Sequence, residues 1–301
     1  MSLIEKFKRG IRTDLKGTLL RSSRFILRRM GAVAEHVLYL VFWIPLRLLP
    51  ARTLAKLKHS MSPVVRLDYN RRVIHLHADS DLNVRRAGAC EKEPETVKWI
   101  EEFISPGEVL FDVGANVGAY SLVACKYFHD QVLVHSFEPS FSNYYQLCRN
   151  VILNGCQGSV IPHMIALTDK TGPVAFNYSS LDQGSADHYL GNDVEAAPRQ
   201  FQPVYRQQLL GFRLDDLVSK FGFPVPNHIK LDVDGTEYAV LLGAANTLND
   251  RSVKSVLVEI QDLKGAADRI AGFLAGKGFV VASKTDRGGG MVWNYIFRRE
   301  E

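Results

Sequence analysis

Apolar residues change their period several times along the chain, and each change marks a new piece of structure. Ile4, Phe7, Ile11, Leu15 and Leu19 recur at helical spacing, with Lys6, Lys8, Arg9, Arg12 and Lys16 between them. That pattern predicts a basic amphipathic helix. Residues 37–46 form an uninterrupted run of apolar residues and proline, preceded by His36 and ended by Arg47. A bilayer-spanning helix needs about 20 apolar residues, so this run is too short to cross. It also lies too far from Met1, with no small-residue cleavage site behind it, to act as a secretory signal. Residues 64–77 alternate loosely around Asp68-Tyr69-Asn70 and predict a short hairpin.

From Glu93 onward the pattern becomes a strand–helix alternation. Pro94 stands where a first helical turn begins, and Val97, Ile100, Phe103 and Ile104 line one face. Strands are predicted over 109–113, 132–138, 160–166, 228–233, 256–260, 279–283 and 292–297, and helices over 119–127, 143–153, 214–221, 237–248 and 266–277. Near-continuous apolar strands alternating with helices imply an α/β fold, a doubly wound and mostly parallel sheet covered on both faces. The last two strands, joined at Gly288-Gly289-Gly290, read as an antiparallel edge pair. Between Thr168 and Gly211 the alternation fails, apart from a strand at 174–178. A long unpatterned stretch in a compact domain is usually functional or disordered; residues 173–211 are expected to form the wall over a substrate, with Ser179, Ser180 and Ser185 as hydrogen-bonding groups, against the plainer role of Ser as a turn cap. The domains read as a basic arm (1–60), a hairpin and linker (61–92) and a globular body (93–301).

Composition excludes several classes. The 301 residues are 46% hydrophobic and 23% charged, which rules out a disordered chain and permits a sizeable core. Cys90, Cys125, Cys148 and Cys156 fall at irregular spacing inside apolar runs, without C-x-x-C. They read as reduced, buried thiols of a cytoplasmic protein rather than a disulfide framework or zinc ribbon. Residues 1–60 hold 13 Lys/Arg against 3 acids, a balance of +10, whereas the remainder holds 24 against 29. The basic balance therefore belongs to the arm. Two uses of the arm stand open. One is peripheral attachment to the anionic inner membrane face, where each surface Lys/Arg contributes about 1 kcal/mol. The other is packing on the body or on a second copy in a homo-oligomer. Nucleic acid is disfavoured, because no recognised binding fold accompanies the charge.

The chemistry concentrates where strands end. Strand 109–113 runs into Asp112-Val113-Gly114-Ala115-Asn116-Val117-Gly118 and then a helix. Gly114 allows a sharp turn and Gly118 a close approach at the helix start, where free N–H groups favour an anion. Asp112 can take a cation such as an ammonium group. The spacing is G-x-x-x-G, so the three-glycine cradle of a dinucleotide site is missing. Twenty residues past Gly118, Glu138 ends the next strand, and a carboxylate there suits the two hydroxyls of a ribose. Ribose together with an amino-acid end describes S-adenosylmethionine.

A second strand, Asn227-His228-Ile229-Lys230-Leu231-Asp232-Val233-Asp234, places Lys230, Asp232 and Asp234 at the same rim, and Glu259 ends a further strand. A strand interior rarely holds charge without a partner or a job. Asp232 is the first choice for positioning or base work, with Lys230 as its partner and Glu259 beside them. A bland Lys230–Asp232 pair is the alternative. Glu237 opens a helix, and helix N-terminal stabilisation is the simpler reading for it. A divalent cation on Asp232, Asp234 and Glu259 is a further, unfavoured variant. The histidines are scattered, without H-x-x-x-H; His163 and His228 read as satisfied core residues.

Taken together, FDVGANVGAYS (111–121), FEPS (137–140), IALTDKTG (165–172), LDDL (214–217), IKLDVDGTE (229–237), VLLGA (240–244) and LVEI (257–260) resemble the FkbM family of S-adenosylmethionine-dependent methyltransferases. The resemblance runs from about Glu93 to Ile260. It implies a Rossmann-like class I methyltransferase fold and places Asp112, Gly114, Asn116, Gly118, Glu138 and Ala166 on the cofactor. It further implies an O-methyltransferase acting on a hydroxyl of a sugar, glycolipid or secondary metabolite. This chain has Asp234 where the family commonly has Glu, which shortens the reach of that carboxylate. The contrasting reading is a non-catalytic ligand-binding scaffold recruited to a membrane or partner by its arm.

Overall fold

The computed structural model describes residues 48–191, 202–261 and 265–300. The expected helix at 4–19 and the apolar run at 37–46 lie outside these residues. The chain divides into two compact units, 1–62 and 63–301. The described part of the first contains helix α1 (Ala51–Ser60), opened by the Pro50 carbonyl accepting from the N–H groups of Thr53 and Leu54. Among the described residues no helix is long and apolar enough to cross a membrane.

The second unit begins with a hairpin, β1 (Val64–Arg66) and β2 (His75–His77), followed by helices α2 (Asp81–Arg86), α3 (Ala89–Lys92) and α4 (Pro94–Phe103). Then come β3 (Val109–Val113), α5 (Ala119–Tyr127), β4 (Leu133–Phe137), α6 (Phe141–Leu153), β5 (Val160–His163), β6 (Ala166–Leu167), β7 (Gly172–Tyr178), β8 (Tyr189–Leu190) and β9 (Tyr205–Phe212). The remainder is α7 (Leu214–Phe221), β10 (His228–Leu231), α8 (Glu237–Gly243), β11 (Ser255–Gln261), α9 (Ala266–Ala275), β12 (Phe279–Asp286) and β13 (Val292–Arg299).

The main sheet has the order β12-β13-β11-β10-β3-β4-β5. The five strands from β11 to β5 run parallel, with β5 at one edge, and β13 and β12 add an antiparallel pair at the other, as the sequence predicts. Successive strand residues feed opposite cores. Leu110 packs with Trp99, Leu122 and Val134, while Phe111 packs with Phe137, Ile229 and Leu241. The chain runs from β3 outward to β5 and later returns to β10 on the other side of β3. A crevice therefore opens beyond the carboxyl ends of β3 and β10, the usual ligand position in such sheets.

Three expectations change. Residues 61–92 are not a linker from Pro63 on: Leu67, Tyr69, Ile74 and Leu76 are fully buried in the Trp99 core, and Asn150 of α6 and Asn154 just past its end accept from the backbone N–H groups of β2. The strand expected over 160–166 splits at Met164, and β6 leaves the main sheet. The unpatterned stretch after Thr168 proves to be a second sheet, β6-β9-β7-β8. Its β7–β9 pairing is antiparallel and joins residues about 30 apart, a separation that no local period announces.

Candidate active site

The register of β3 and β10 sets Lys230 directly beside Asp112. The ammonium lies 3.6 Å from Asp112 Oδ1 and 3.2 Å from Asp232 Oδ2, and Lys230 and Asp112 are both almost fully buried. The Tyr120 ring lies 5.1 Å from the same nitrogen. Burial alone would push the Lys230 pKa down, but the charges of Asp232, Asp112 and Glu93 hold it above the ordinary lysine value. Burial likewise opposes ionisation of Asp232, and Lys230 outweighs it, holding the carboxyl below its usual range. Asp112 Oδ2 accepts from Ser121 Oγ at 2.5 Å. Asp112 thus sits behind the crevice with Lys230 as its cation, and it does not line either of the cavities described below.

The turn after β3 is shaped by its glycines. Gly114 has φ +80°, and a Cβ there would lie 1.8 Å from the Asp232 carbonyl oxygen. Gly118, at φ +86°, presses against Leu147 at the start of α5. Between them Asn116 is left-handed at φ 51° and donates its N–H to Glu138 Oε2 at 2.8 Å. Ser140 N–H donates to Glu138 Oε1 at 2.9 Å. Burial pushes the Glu138 carboxyl up to about 7, against the pull of these N–H groups.

A cavity of about 360 Å³ lies over this rim, within the size range of small-molecule sites. Glu138, Gly114, Ala166, Asp232, Asp234 and Glu259 all line it. A second cavity of about 450 Å³ shares Arg86, Gly114, Asn116 and Asp232 with the first and extends past Tyr120 and Lys230. The segment 184–187 separates the two. It is held by Arg86, which donates twice to the Gly184 carbonyl, and by the Asn116 and Asn143 amides donating to the Ser185 carbonyl.

Carboxylate oxygens of Glu93, Asp232 and Glu259 gather within 4.8 Å of one another. Arg287, from the β12–β13 turn, donates to Glu93 at 2.8 Å and to Glu95 at 3.3 Å, and its Nε lies 3.6 Å from Glu259. Burial and the negative charges of Asp232 and Glu93 raise the Glu259 carboxyl to about 8. Asp234 is not part of this group. It accepts the Asp187 N–H at 2.8 Å from a left-handed backbone at φ 54°, and burial with its acidic neighbours raises it to about 7. The unfavoured cation variant on Asp232, Asp234 and Glu259 is therefore not the grouping seen: Glu93 takes the place of Asp234, and Arg287 and Lys230 supply counter-charge. Glu237 accepts the Gly235 N–H at 2.8 Å at the start of α8, and burial raises its carboxyl to about 7.

Of the sequence-derived site residues, Gly114, Asn116, Glu138, Ala166, Asp232 and Glu259 line the first cavity, Lys230 lines the second, and Asp112 and Gly118 shape the rim from behind. Ser185 lines both cavities, whereas the Ser179 hydroxyl donates to the Ala186 carbonyl and the Ser180 hydroxyl accepts from Asp182. Glu93, Arg287, Arg86 and His188 are lining residues that the sequence reading missed. His228 is the satisfied core residue expected, held between Ser255 and Glu108.

A doubly wound parallel sheet with a glycine turn after β3 and an acid just past β4 is a Rossmann-like arrangement. A profile of the Methyltransferase FkbM domain matches residues 112–281, and the chain belongs to that family. It is 28% identical over 203 residues to the 31-O-demethyl-FK506 methyltransferase FkbM of Streptomyces tacrolimicus, covering 61% of this chain and 76% of that one. It is 27% identical over 168 residues to the hexuronic acid methyltransferase AglP of Haloferax volcanii, covering 56% of this chain and 62% of that one. The crystal structure of the methyltransferase FkbM from Methylobacillus flagellatus KT aligns over 71% of this chain and 52% of that chain, with 13% identity and a TM-score of 0.47.

Proposed function

We propose that this protein is an S-adenosylmethionine-dependent O-methyltransferase acting on a hydroxyl of a sugar, glycolipid or secondary metabolite. The observation that carries the reading is Glu138, a buried carboxylate on the cavity wall anchored through both oxygens by backbone N–H groups, beside the Gly114 turn. Each oxygen keeps a lone pair for a ribose hydroxyl. Buried Asn116 Oδ1 and His188 Nε2 also lack partners among the described residues, and both residues line this cavity, so its wall suits a polar ligand of nucleoside kind. Family membership and the relatives' names, one of them a hexuronic acid methyltransferase, support the reaction class.

When bound, S-adenosylmethionine supplies an electrophilic methyl group on a positively charged sulfur. The chain's part is alignment of the acceptor oxygen, exclusion of water and removal of its proton. Asp232, fixed by Lys230, stays ionised and is a weak base. Glu259, its proton affinity raised by Asp232 and Glu93, is the better proton acceptor, and Arg287 holds it in place. This arrangement favours general-base work at Glu259, with Asp232 and Lys230 positioning, and it asks nothing of a divalent cation.

Equilibrium dialysis against labelled S-adenosylmethionine and against NAD is the first test. Retention of NAD alone would sink the proposal. Retention of S-adenosylmethionine, but no transfer of labelled methyl to a panel of glycosides, polyols and lipid-linked sugars, would favour the scaffold reading. Affinity for S-adenosylmethionine should depend on pH through Glu138. The ribose contact needs the carboxylate, so binding should be full above about pH 7 and weaken as the pH falls through that value. Glu138→Gln should abolish this dependence and weaken binding by roughly tenfold or more, since hydrogen bonds to charged groups contribute about 1.5–3 kcal/mol. A calorimetric titration flat from pH 8 to pH 5.5 in the unmodified protein would remove Glu138 from the ribose.

The basic arm supports a peripheral location on an anionic membrane face, where an amphiphilic acceptor would be met. Co-sedimentation of the full chain with anionic vesicles should fall with salt yet persist in part, because burial of Leu40, Phe42, Trp43 and Ile44 is not electrostatic. A chain starting at Ala51 should stay in the supernatant; equal behaviour of the two chains would leave the arm as a packing or dimerisation element.

A further inference from the structure

We propose that His188 reads the base of the cofactor, its Nε2–H donating to a ring nitrogen of adenine. The inference rests on the S-adenosylmethionine reading and assigns that site a specificity residue that lies on the second sheet, away from the Gly114 turn and Glu138.

His188 immediately precedes β8 and lines the first cavity while being 92% buried, at 8% exposure. Its ring packs between Phe176 and Tyr178, with centroids 5.3 Å from each. The Ser179 backbone N–H donates to Nδ1 at 3.3 Å. That N–H is a fixed donor, so Nδ1 is the acceptor and the ring proton is on Nε2. The Ser179 hydroxyl is engaged with the Ala186 carbonyl at 2.6 Å and braces the same segment. Nε2 has no partner among the described residues. A buried N–H donor without an acceptor is costly, and such groups are rare unless a ligand or water completes them.

The surroundings decide which part of a ligand this is. Ile165, Leu167, Phe176 and Leu190 give the cavity apolar lining, while Asp232 follows β10 and Glu259 lies in β11; Asp234 comes up to this segment, accepting the N–H of Asp187 at 2.8 Å. Tyr178 ties the region to Glu138, because its hydroxyl accepts the Phe141 N–H at the start of α6, just past Ser140. A flat aromatic base attached to a ribose held at Glu138 fits the apolar lining. Adenine offers unprotonated ring nitrogens as acceptors. Burial lowers the imidazole to about 4, and Asp187 and Arg86, the charged groups facing it, act in opposite senses, so the ring stays neutral at physiological pH.

Calorimetry with the full chain tests this without an acceptor substrate. The ligands are S-adenosylhomocysteine and its 1-deaza, 3-deaza and 7-deaza analogues, each replacing one ring nitrogen by C–H. The unmodified protein should lose about tenfold in affinity for one analogue, the size of a neutral hydrogen bond in a buried site. His188→Phe keeps the ring packing and should lose a similar factor for S-adenosylhomocysteine, with no further loss for that analogue; His188→Gln, which keeps a donor, should recover part of it. Equal affinity of the unmodified protein for all four ligands would overturn the proposal even if His188→Phe failed to fold. Loss of S-adenosylhomocysteine binding by the unmodified protein would instead overturn the cofactor reading itself.

Discussion

Replacing Lys230 by Met should destabilise the protein by about 3–5 kcal/mol, the usual consequence of removing one partner from a buried ion pair. Met keeps the volume of the lysine stem, so the loss reports charge rather than a cavity. Asp112, at 1% exposure, has no water to turn to, and Asp232 loses its fixed partner. Urea unfolding at pH 7 measures the effect through its midpoint. The pH dependence gives a second sign. In the unmodified protein the Asp232 carboxyl is held below its unfolded value, so its contribution is present above about pH 4 and is lost as the pH falls below that. The Lys230 value is raised, so its contribution is full across neutral pH and is lost only in alkali. In the Met variant the orphaned carboxylates fold more easily when protonated, so its stability should rise on acidification from pH 7 to pH 5 while the unmodified protein changes little. A variant that weakens in parallel with the unmodified protein would show that the pair is not what sustains this rim. Lys230→Met combined with Asp112→Asn should recover part of the loss.

The second large effect concerns turnover. Glu259→Gln should cut methyl transfer by roughly 10²–10⁴-fold, the range of general-base contributions, with cofactor affinity nearly unchanged. The unmodified enzyme should gain rate as the pH rises from 7 through about 8, because Glu259 must lose its proton to act as a base. That rising limb should vanish in Glu259→Gln. Asp232→Asn should also slow the reaction, and it should move the limb to lower pH, since one of the negative charges raising Glu259 is gone. If Asp232→Asn removes the limb and Glu259→Gln leaves it in place, the two residues exchange roles. The assay is labelled methyl release to whichever member of the glycoside and polyol panel the unmodified enzyme accepts.

Much of the fold was legible because it is written in local periods. The strands β3, β4, β10 and β11 are apolar runs ended by Asp or Glu, and the helices between them have apolar stripes. Glu138 and the Gly114 turn were legible for the same reason, lying at fixed short spacing around one strand end. What could not be read locally depends on register and on distant pairing. Lys230 beside Asp232 is a two-residue spacing, but Lys230 beside Asp112 follows only once β10 is seated against β3. Glu93 reads as an ordinary residue before a helix, and Arg287 as part of a glycine turn, yet they meet across 194 positions. The second sheet was missed because Tyr205–Phe212 pairs with Gly172–Tyr178 across a polar stretch whose pattern carries no strand period.

The Arg287 clamp has a consequence for the order in which the protein can become active during synthesis. Glu93 and Glu95 leave the ribosome early, and the strands bearing Asp112, Glu138 and Asp232 follow, so a nascent chain can assemble most of the cleft well before the β12–β13 turn emerges. Until Arg287 arrives, Glu93 and Glu95 lack its guanidinium, and the proton affinity of Glu259 is raised further. A chain arrested just before residue 287 should therefore hold a Rossmann-like sheet whose rim is not yet closed by Arg287. Docking of the last hairpin is then the event that joins Arg287 to Glu93, Glu95 and Glu259.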